Sequence, residues 1–188
     1  MEPLSPSQQM RSLGIVQEGD PILTKASRRF DLPHEAEEAR RVIAQLASTV
    51  ERVSPVHTFA KGMGLAAPQI GIDRAAAVVR TPDGASITLL NPRIVDEGSG
   101  EHEHYEGCLS FFDVRGLVPR PSAIEVEHQD LEGTTQITRF ERGVARLVGH
   151  EVDHLFGKLY KARMRPGINP IPVSQYDGTG RNWDLSTT

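Results

Sequence analysis

Two histidines in the second half of the chain lie four residues apart, and a glutamate directly follows the first: His150, Glu151 and His154, in the stretch GHEVDHLFGKLY. On a helix, residues four apart share one face, so both imidazoles can bind a single metal ion. The neighbouring carboxylate can then reach a water bound to that ion. The pattern H-E-x-x-H is therefore typical of metal-dependent hydrolases, many of them peptidases.

A catalytic site of this kind needs a third protein ligand. One peptidase pattern continues to a third histidine, but this chain has Tyr160 there, and no glutamate follows Glu151. Upstream, the stretch EGCLS holds Cys108, the only cysteine of the chain. A thiolate with two imidazoles suits zinc or ferrous iron. A lone cysteine is usually a small buried hydrophobe, so the sequence favours Cys108 as the ligand but leaves the structural interpretation open.

A glycine-rich stretch, GMGLAAPQIG at residues 62–71, is the third candidate for chemistry. Its glycines allow the backbone to approach a ligand closely, and Gln69 can supply an amide donor. It lacks the G-K-[ST] ending of a phosphate loop. The simpler interpretation is a glycine-rich turn that enters a strand.

The two histidines require a helix to position them. Thr138 and Glu141 have the spacing of a capping box, so we predict a helix from near Thr138 through His154, ending around Gly157. Both histidines and Glu151 then lie on the apolar side of the helix. The residues expected on the side that faces away are Arg142, Arg146, Gly149 and Asp153.

The remaining segments predict an α+β fold, in which antiparallel strands pack around this central metal-binding helix. An outer N-terminal helix is expected within residues 31–53, with Pro33 in its first turn and an apolar stripe for the core. We expect a flexible N-terminus at 1–13, one catalytic domain at 14–165 and an extended tail at 166–188, which is rich in Pro and Gly. The predicted strands are 75–79, 86–95, 122–133 and 134–140.

Composition narrows the possible partners. The 188 residues include 21 basic and 25 acidic side chains, a net charge of −4, which argues against DNA binding and against strong attachment to anionic membranes. There is no apolar run of the roughly 20 residues that a membrane helix needs, and the first ten residues lack the apolar core of a signal peptide. We expect a soluble cytoplasmic protein.

Three motifs in one order, GMGLAAPQ, EGCLS and HEVDH, resemble those of the peptide deformylases. Further similarity extends from about Ile15 to Arg163, in GDPILTKAS, LLNPRIV and LVPR. The resemblance implies an amide hydrolase that removes formate from the N-terminal formyl-methionine of new proteins. It also implies that Cys108, His150 and His154 bind one divalent metal, typically Fe²⁺ with Zn²⁺, Ni²⁺ or Co²⁺ as substitutes, and that Glu151 is the general base.

The resemblance also implies how substrate is held. Gln69 and the backbone N–H of Leu109 would bind the oxyanion, the Gly64 backbone would align the peptide, and Met63 would line the pocket for the methionine side chain. Phe111-Phe112 departs from the family pattern and is expected to reshape the entrance.

The expected partners are N-formyl-methionyl nascent peptides, with a possible transient ribosome contact. The segment KLYKARMR at 158–165 is a candidate for touching ribosomal RNA, but a solvated face is the simpler interpretation, as it is for the acidic EHEHYE at 101–106. Two other functions remain open: a catalytically silent relative that binds metal or ribosomes, and a metallopeptidase, which would lack its usual third ligand.

Overall fold

Two antiparallel sheets enclose the helix that carries both histidines, in a computed structural model that describes residues 3–177. The larger sheet has the order β1-β2-β3-β6-β7 and the smaller the order β4-β5-β8. The strands are β1 (Met63–Ala66), β2 (Ala76–Arg80), β3 (Ser86–Glu97), β4 (Glu101–Glu106), β5 (Val114–Pro121), β6 (Ala123–Gln129), β7 (Thr135–Glu141) and β8 (Ile171–Pro172).

The helices are α1 (Pro6–Ser12), α2 (Ala36–Val53), α3 (Arg142–Leu155) and α4 (Val173–Asp177). The central helix α3 contacts strands of both sheets, and α2 packs against β1 and β2 from outside. The buried residues of α2 include Leu46, Val50 and Val53, which form the apolar stripe predicted for this helix. The predicted α+β class and its central helix are therefore confirmed. No helix within residues 3–177 combines the length and apolar character needed to cross a membrane.

The predicted start of the metal-binding helix is wrong. Thr138 lies inside β7, opposite Val126 of β6, and its hydroxyl is 2.9 Å from Nε2 of His128. Strand pairing across the sheet therefore extends to Glu141, and α3 begins only at Arg142. The other end agrees with the prediction, because the helix ends at Leu155 and Gly157 follows with φ of +71°.

The outer helix also begins later than predicted, because Pro33 was expected in its first turn. Residues 32–35 form a turn, and α2 starts at Ala36 with Glu35 at the cap position. The carboxylate of Glu35 accepts a hydrogen bond from the backbone of Asp31 at 2.7 Å, which stabilises this turn before the helix.

Residues 6–12 and 171–177 are more ordered than predicted. The expectation of a flexible segment over 1–13 does not hold for α1, because Ser5 and Gln8 form a capping box and Met10 is fully buried. The expected extended tail instead pairs with β5 as β8 and then forms α4. Residues 178–188 of that predicted tail lie outside the described part of the chain.

Candidate active site

The structure brings Cys108, His150 and His154 together. Their ligand atoms all lie within 4.8 Å of one another, and Sγ of Cys108 is 3.3 Å from Nε2 of His154. His150 uses Nδ1 for a contact of 3.0 Å with Glu106, which leaves Nε2 available as a ligand. One thiolate and two imidazoles fit a divalent ion with a further position open. The donor set therefore fits a catalytic metal.

Glu151 lies beside this cluster and is 3% exposed. It packs directly on Gly64, where an added β-carbon would overlap the Glu151 side chain. Its Oε2 is buried and has no hydrogen-bond partner within residues 3–177. Burial raises the pKa of Glu151 to about 7, although His150 and Arg120 act in the opposite direction. A carboxylate with such a pKa can exchange a proton near neutral pH.

Gln69 directs its amide towards the same cluster. It lies in the short 3-10 helix Ala67–Ile70, and its Oε1 accepts a hydrogen bond from the Ala66 backbone at 2.9 Å. Nε2 therefore faces the other way, 3.2 Å from Oγ of Ser110 and 3.6 Å from Sγ of Cys108. Leu109 lies between Cys108 and Ser110 in the sequence and lines a cavity beside the cluster. Ser110, which orients the amide, was missed in the sequence analysis.

Glu106 is the most important residue that the sequence analysis overlooked, since EHEHYE was interpreted as a solvated approach. Its carboxylate accepts two hydrogen bonds from Arg120, at 2.5 and 3.0 Å, and one from Arg146 at 2.6 Å. The other contact of this carboxylate is Nδ1 of His150. Burial alone would raise the pKa of Glu106, but Arg120 and His150 outweigh it and hold that pKa far below its ordinary value. Glu106 is therefore an ionised carboxylate that orients the imidazole of His150, one of the three candidate metal ligands.

Of the residues of α3 predicted to face away from the core, only Arg142 is exposed. Arg146, Gly149 and Asp153 are buried, because Arg120 of β5 and Glu106 of β4 cover this side of the helix. Asp153 accepts hydrogen bonds from Arg120 at 2.9 Å and from Arg163 at 2.6 and 2.8 Å. Opposite charges pair along this side, so it is an interior surface.

The two surface segments 158–165 and 101–106 form ion pairs with each other and with a nearby acidic residue. Arg165 bridges Glu101 and Glu103 at 2.8 and 2.5 Å, and Lys161 bridges Glu18 at 2.8 Å. These pairs agree with a solvated protein face and offer no support for RNA contact.

A cavity of about 320 Å³ opens beside the candidate metal ligands. Its lining includes Met63 and Gly64 of β1, together with Leu147 of α3. Phe112 also lines it, with its ring at 5.1 Å from that of His57, whereas Phe111 packs inward on Tyr160 at 4.7 Å. Two residues that the sequence analysis did not select, Tyr105 and Tyr176, complete part of the wall.

Comparison with known proteins gives consistent matches. Residues 12–168 match the family model for polypeptide deformylase. Peptide deformylase 2 of Nostoc sp. is 34% identical over 173 residues, covering 87% of this chain and 92% of its own. The crystal structure of peptide deformylase from Thermotoga maritima superimposes with a TM-score of 0.71 at 30% identity, covering 81% of this chain and 97% of that one. A Met-Ala-Ser-bound peptide deformylase from Acinetobacter baumannii has a TM-score of 0.69 at 28% identity, covering 80% and 96%.

Proposed function

The chain belongs to the polypeptide deformylase family, whose members are metal-dependent hydrolases that remove the formyl group from N-terminal formyl-methionine, and we propose that Cys108, His150 and His154 bind the metal of this reaction. The observation that carries the proposal is the convergence of three ligand atoms within 4.8 Å beside the buried Glu151. The mixed sulfur and nitrogen donors favour Fe²⁺ or Zn²⁺, with Ni²⁺ or Co²⁺ as substitutes. A divalent ion bound there would supply a polarised carbonyl and a more acidic water.

Glu151 is the general base and acid in this proposal. Its free oxygen accepts a proton from the attacking water, and the carboxylic acid so formed protonates the leaving amine. A pKa of about 7 suits both directions of transfer near neutral pH. Gly64 is required beside it, because any larger residue would occupy the place of this carboxylate.

Gln69 and the backbone N–H of Leu109 are the proposed donors to the oxyanion. The Gln69 amide is held from behind by the Ala66 backbone and is 3.2 Å from Ser110, so its direction is set before substrate arrives. Donors fixed in this way stabilise developing charge without reorganisation during the reaction.

The edge of β1 aligns the peptide in this proposal. Among the described residues, β1 pairs only with β2, so its other edge can receive an extended substrate at Gly64. Met63 and Phe112 line the cavity that would take the methionine side chain, and aromatic rings make favourable contacts with thioether sulfur.

We also propose the substrate, its cellular location and the limits of the catalytic domain. The substrates are N-formyl-methionyl nascent chains, which are made in the cytoplasm, and the catalytic domain is residues 14–165. The family match over 12–168 supports these limits. A transient ribosome contact stays a prediction, and its test is whether association with ribosomes weakens with added salt.

The test is formate release from formyl-Met-Ala-Ser by protein loaded anaerobically with Fe²⁺. We expect fast release by the wild type and a loss of at least about 10²-fold in Glu151→Gln at equal metal content. Glu132→Gln, on an exposed turn, is the matched control and should behave as wild type. Metal-loaded wild type that releases no formate would favour a catalytically silent binding protein instead.

A further inference from the structure

Tyr176 of α4 forms part of the cavity wall although it comes from the C-terminal segment. Its hydroxyl accepts a hydrogen bond from Nζ of Lys61 at 2.9 Å, and its ring lies 5.4 Å from that of Tyr105. Lys61 and Tyr105 line the same cavity. The three side chains together, which we call the tyrosine wall, join three separate segments of the chain at this cavity.

The backbone around α4 fixes the position of this wall. β8 pairs with β5 through Val114 and Arg115, and the backbone N–H of Val173 donates to the carbonyl of Asp113 at 2.9 Å. These bonds begin only two residues after Phe111, next to the segment that holds Cys108. The C-terminal segment is therefore attached to the same loop that supplies a metal ligand.

The tyrosine wall lies towards the part of the substrate beyond methionine. A peptide added antiparallel to β1 with its formyl end near Gly64 and Glu151 would run towards Gly62 and Lys61. Lys61 precedes Gly64 by three residues, which corresponds to about 10 Å along an extended chain. A substrate residue spans about 3.4 Å, so Lys61 lies near the third residue of a substrate whose first residue is the formylated methionine.

We propose that Tyr176 is a specificity-determining residue that limits the size of the third substrate side chain, two residues after the formylated methionine. The inference rests on the proposed function and adds a subsite to it. The ring provides the boundary, while the hydrogen bond from Lys61 and the contact with Tyr105 keep the ring in place. A small third residue fits beside this wall, and a large aromatic one collides with it.

The experiment compares kcat/KM for formyl-Met-Ala-Ala and formyl-Met-Ala-Trp in four Fe²⁺-loaded proteins: wild type, Tyr176→Ala, Tyr176→Phe and Gln175→Ala. Gln175 is exposed on the same helix and does not line the cavity, so it is the matched control. We expect the Trp-to-Ala ratio of kcat/KM to rise at least about 10-fold in Tyr176→Ala. Tyr176→Phe retains the ring and should remain close to the wild-type ratio.

Each result decides between the alternatives. An unchanged ratio in Tyr176→Ala, with an active wild type, would overturn the role of Tyr176 and leave the proposed function intact. A ratio that rises equally in Gln175→Ala would also overturn it, since the effect would then belong to the whole segment. A wild type that releases no formate from either peptide would overturn the proposed function as well.

Discussion

Removing the charge of Glu106 should weaken both the fold and the metal site. Glu106→Gln keeps the shape of the side chain, but Arg120 and Arg146 then lose the carboxylate that neutralises them. The new amide cannot accept all of these hydrogen bonds, because it has one oxygen where the carboxylate has two. Its nitrogen must face either the arginines or the Nδ1 proton of His150, which are all donors.

The magnitude follows from the burial of these groups. The side chains of Glu106, Arg120 and Arg146 are 5%, 2% and 6% exposed. Breaking a buried ion pair by removing one partner typically costs about 3–5 kcal/mol in the free energy of unfolding. For a domain of this size, 1 kcal/mol shifts the melting temperature by about 2–4 °C, so we expect a decrease of about 6–20 °C. Loss of the support behind His150 should weaken metal binding by about 10–100-fold.

Two measurements test this prediction. Thermal unfolding of the metal-free proteins, followed by circular dichroism, gives the stability without the contribution of bound metal. Competition with a chelator gives the metal affinity. The matched control is Glu103→Gln, because Glu103 lies in the same strand and bridges Arg165 at the surface. It should cost at most about 1 kcal/mol, or about 4 °C. A Glu106→Gln protein that matches this control in both measurements would refute the reasoning.

Three further changes should affect the reaction itself. Gly64→Ala inserts a methyl group where Glu151 lies, so kcat should decrease about 10²-fold while the metal content, measured by mass spectrometry, stays the same; a normal kcat would contradict the packing argument. Gln69→Ala should lower kcat/KM for formyl-Met-Ala-Ser by about 10²–10³-fold with metal retained, and unchanged kinetics would exclude the oxyanion role. Chelation should abolish formate release and added Fe²⁺ should restore it, whereas activity in protein shown to be metal-free would exclude a metal-dependent reaction.

The motif residues could be identified from the sequence because their signals are local. The spacing of His150 and His154 is set by one helical turn, and that turn exists wherever the helix begins. The strands β3, β6 and β7 also carry local alternation of side chains, and they appear close to the predicted positions. The start of α3 was placed wrongly because Thr138 satisfies a capping pattern while its backbone is already paired with β6.

The strands that build the ligand side of the site could not be predicted in this way. β4 contains mostly charged and histidine side chains, and its partner β5 contains Gly116 and two prolines. Both form strands because they pair with each other, an interaction that neither segment shows alone. For the same reason, Arg146 and Asp153 had to be interpreted as solvent-facing, since the charges that neutralise them come from other strands.

Glu106 and Cys108 lie on one side of the site, and Gly64 and Gln69 lie on the other. Glu106 and Cys108 lie two apart, so one segment supplies both a proposed metal ligand and the carboxylate that orients His150 of α3. A change that separates β4 from α3 must therefore disturb a ligand and its support together. Gly64 and Gln69 approach the cluster from the other side and hold no charge of this network. Stability and metal affinity should therefore decrease together in variants of Glu106, whereas variants of Gly64 or Gln69 should lose rate while they retain the metal.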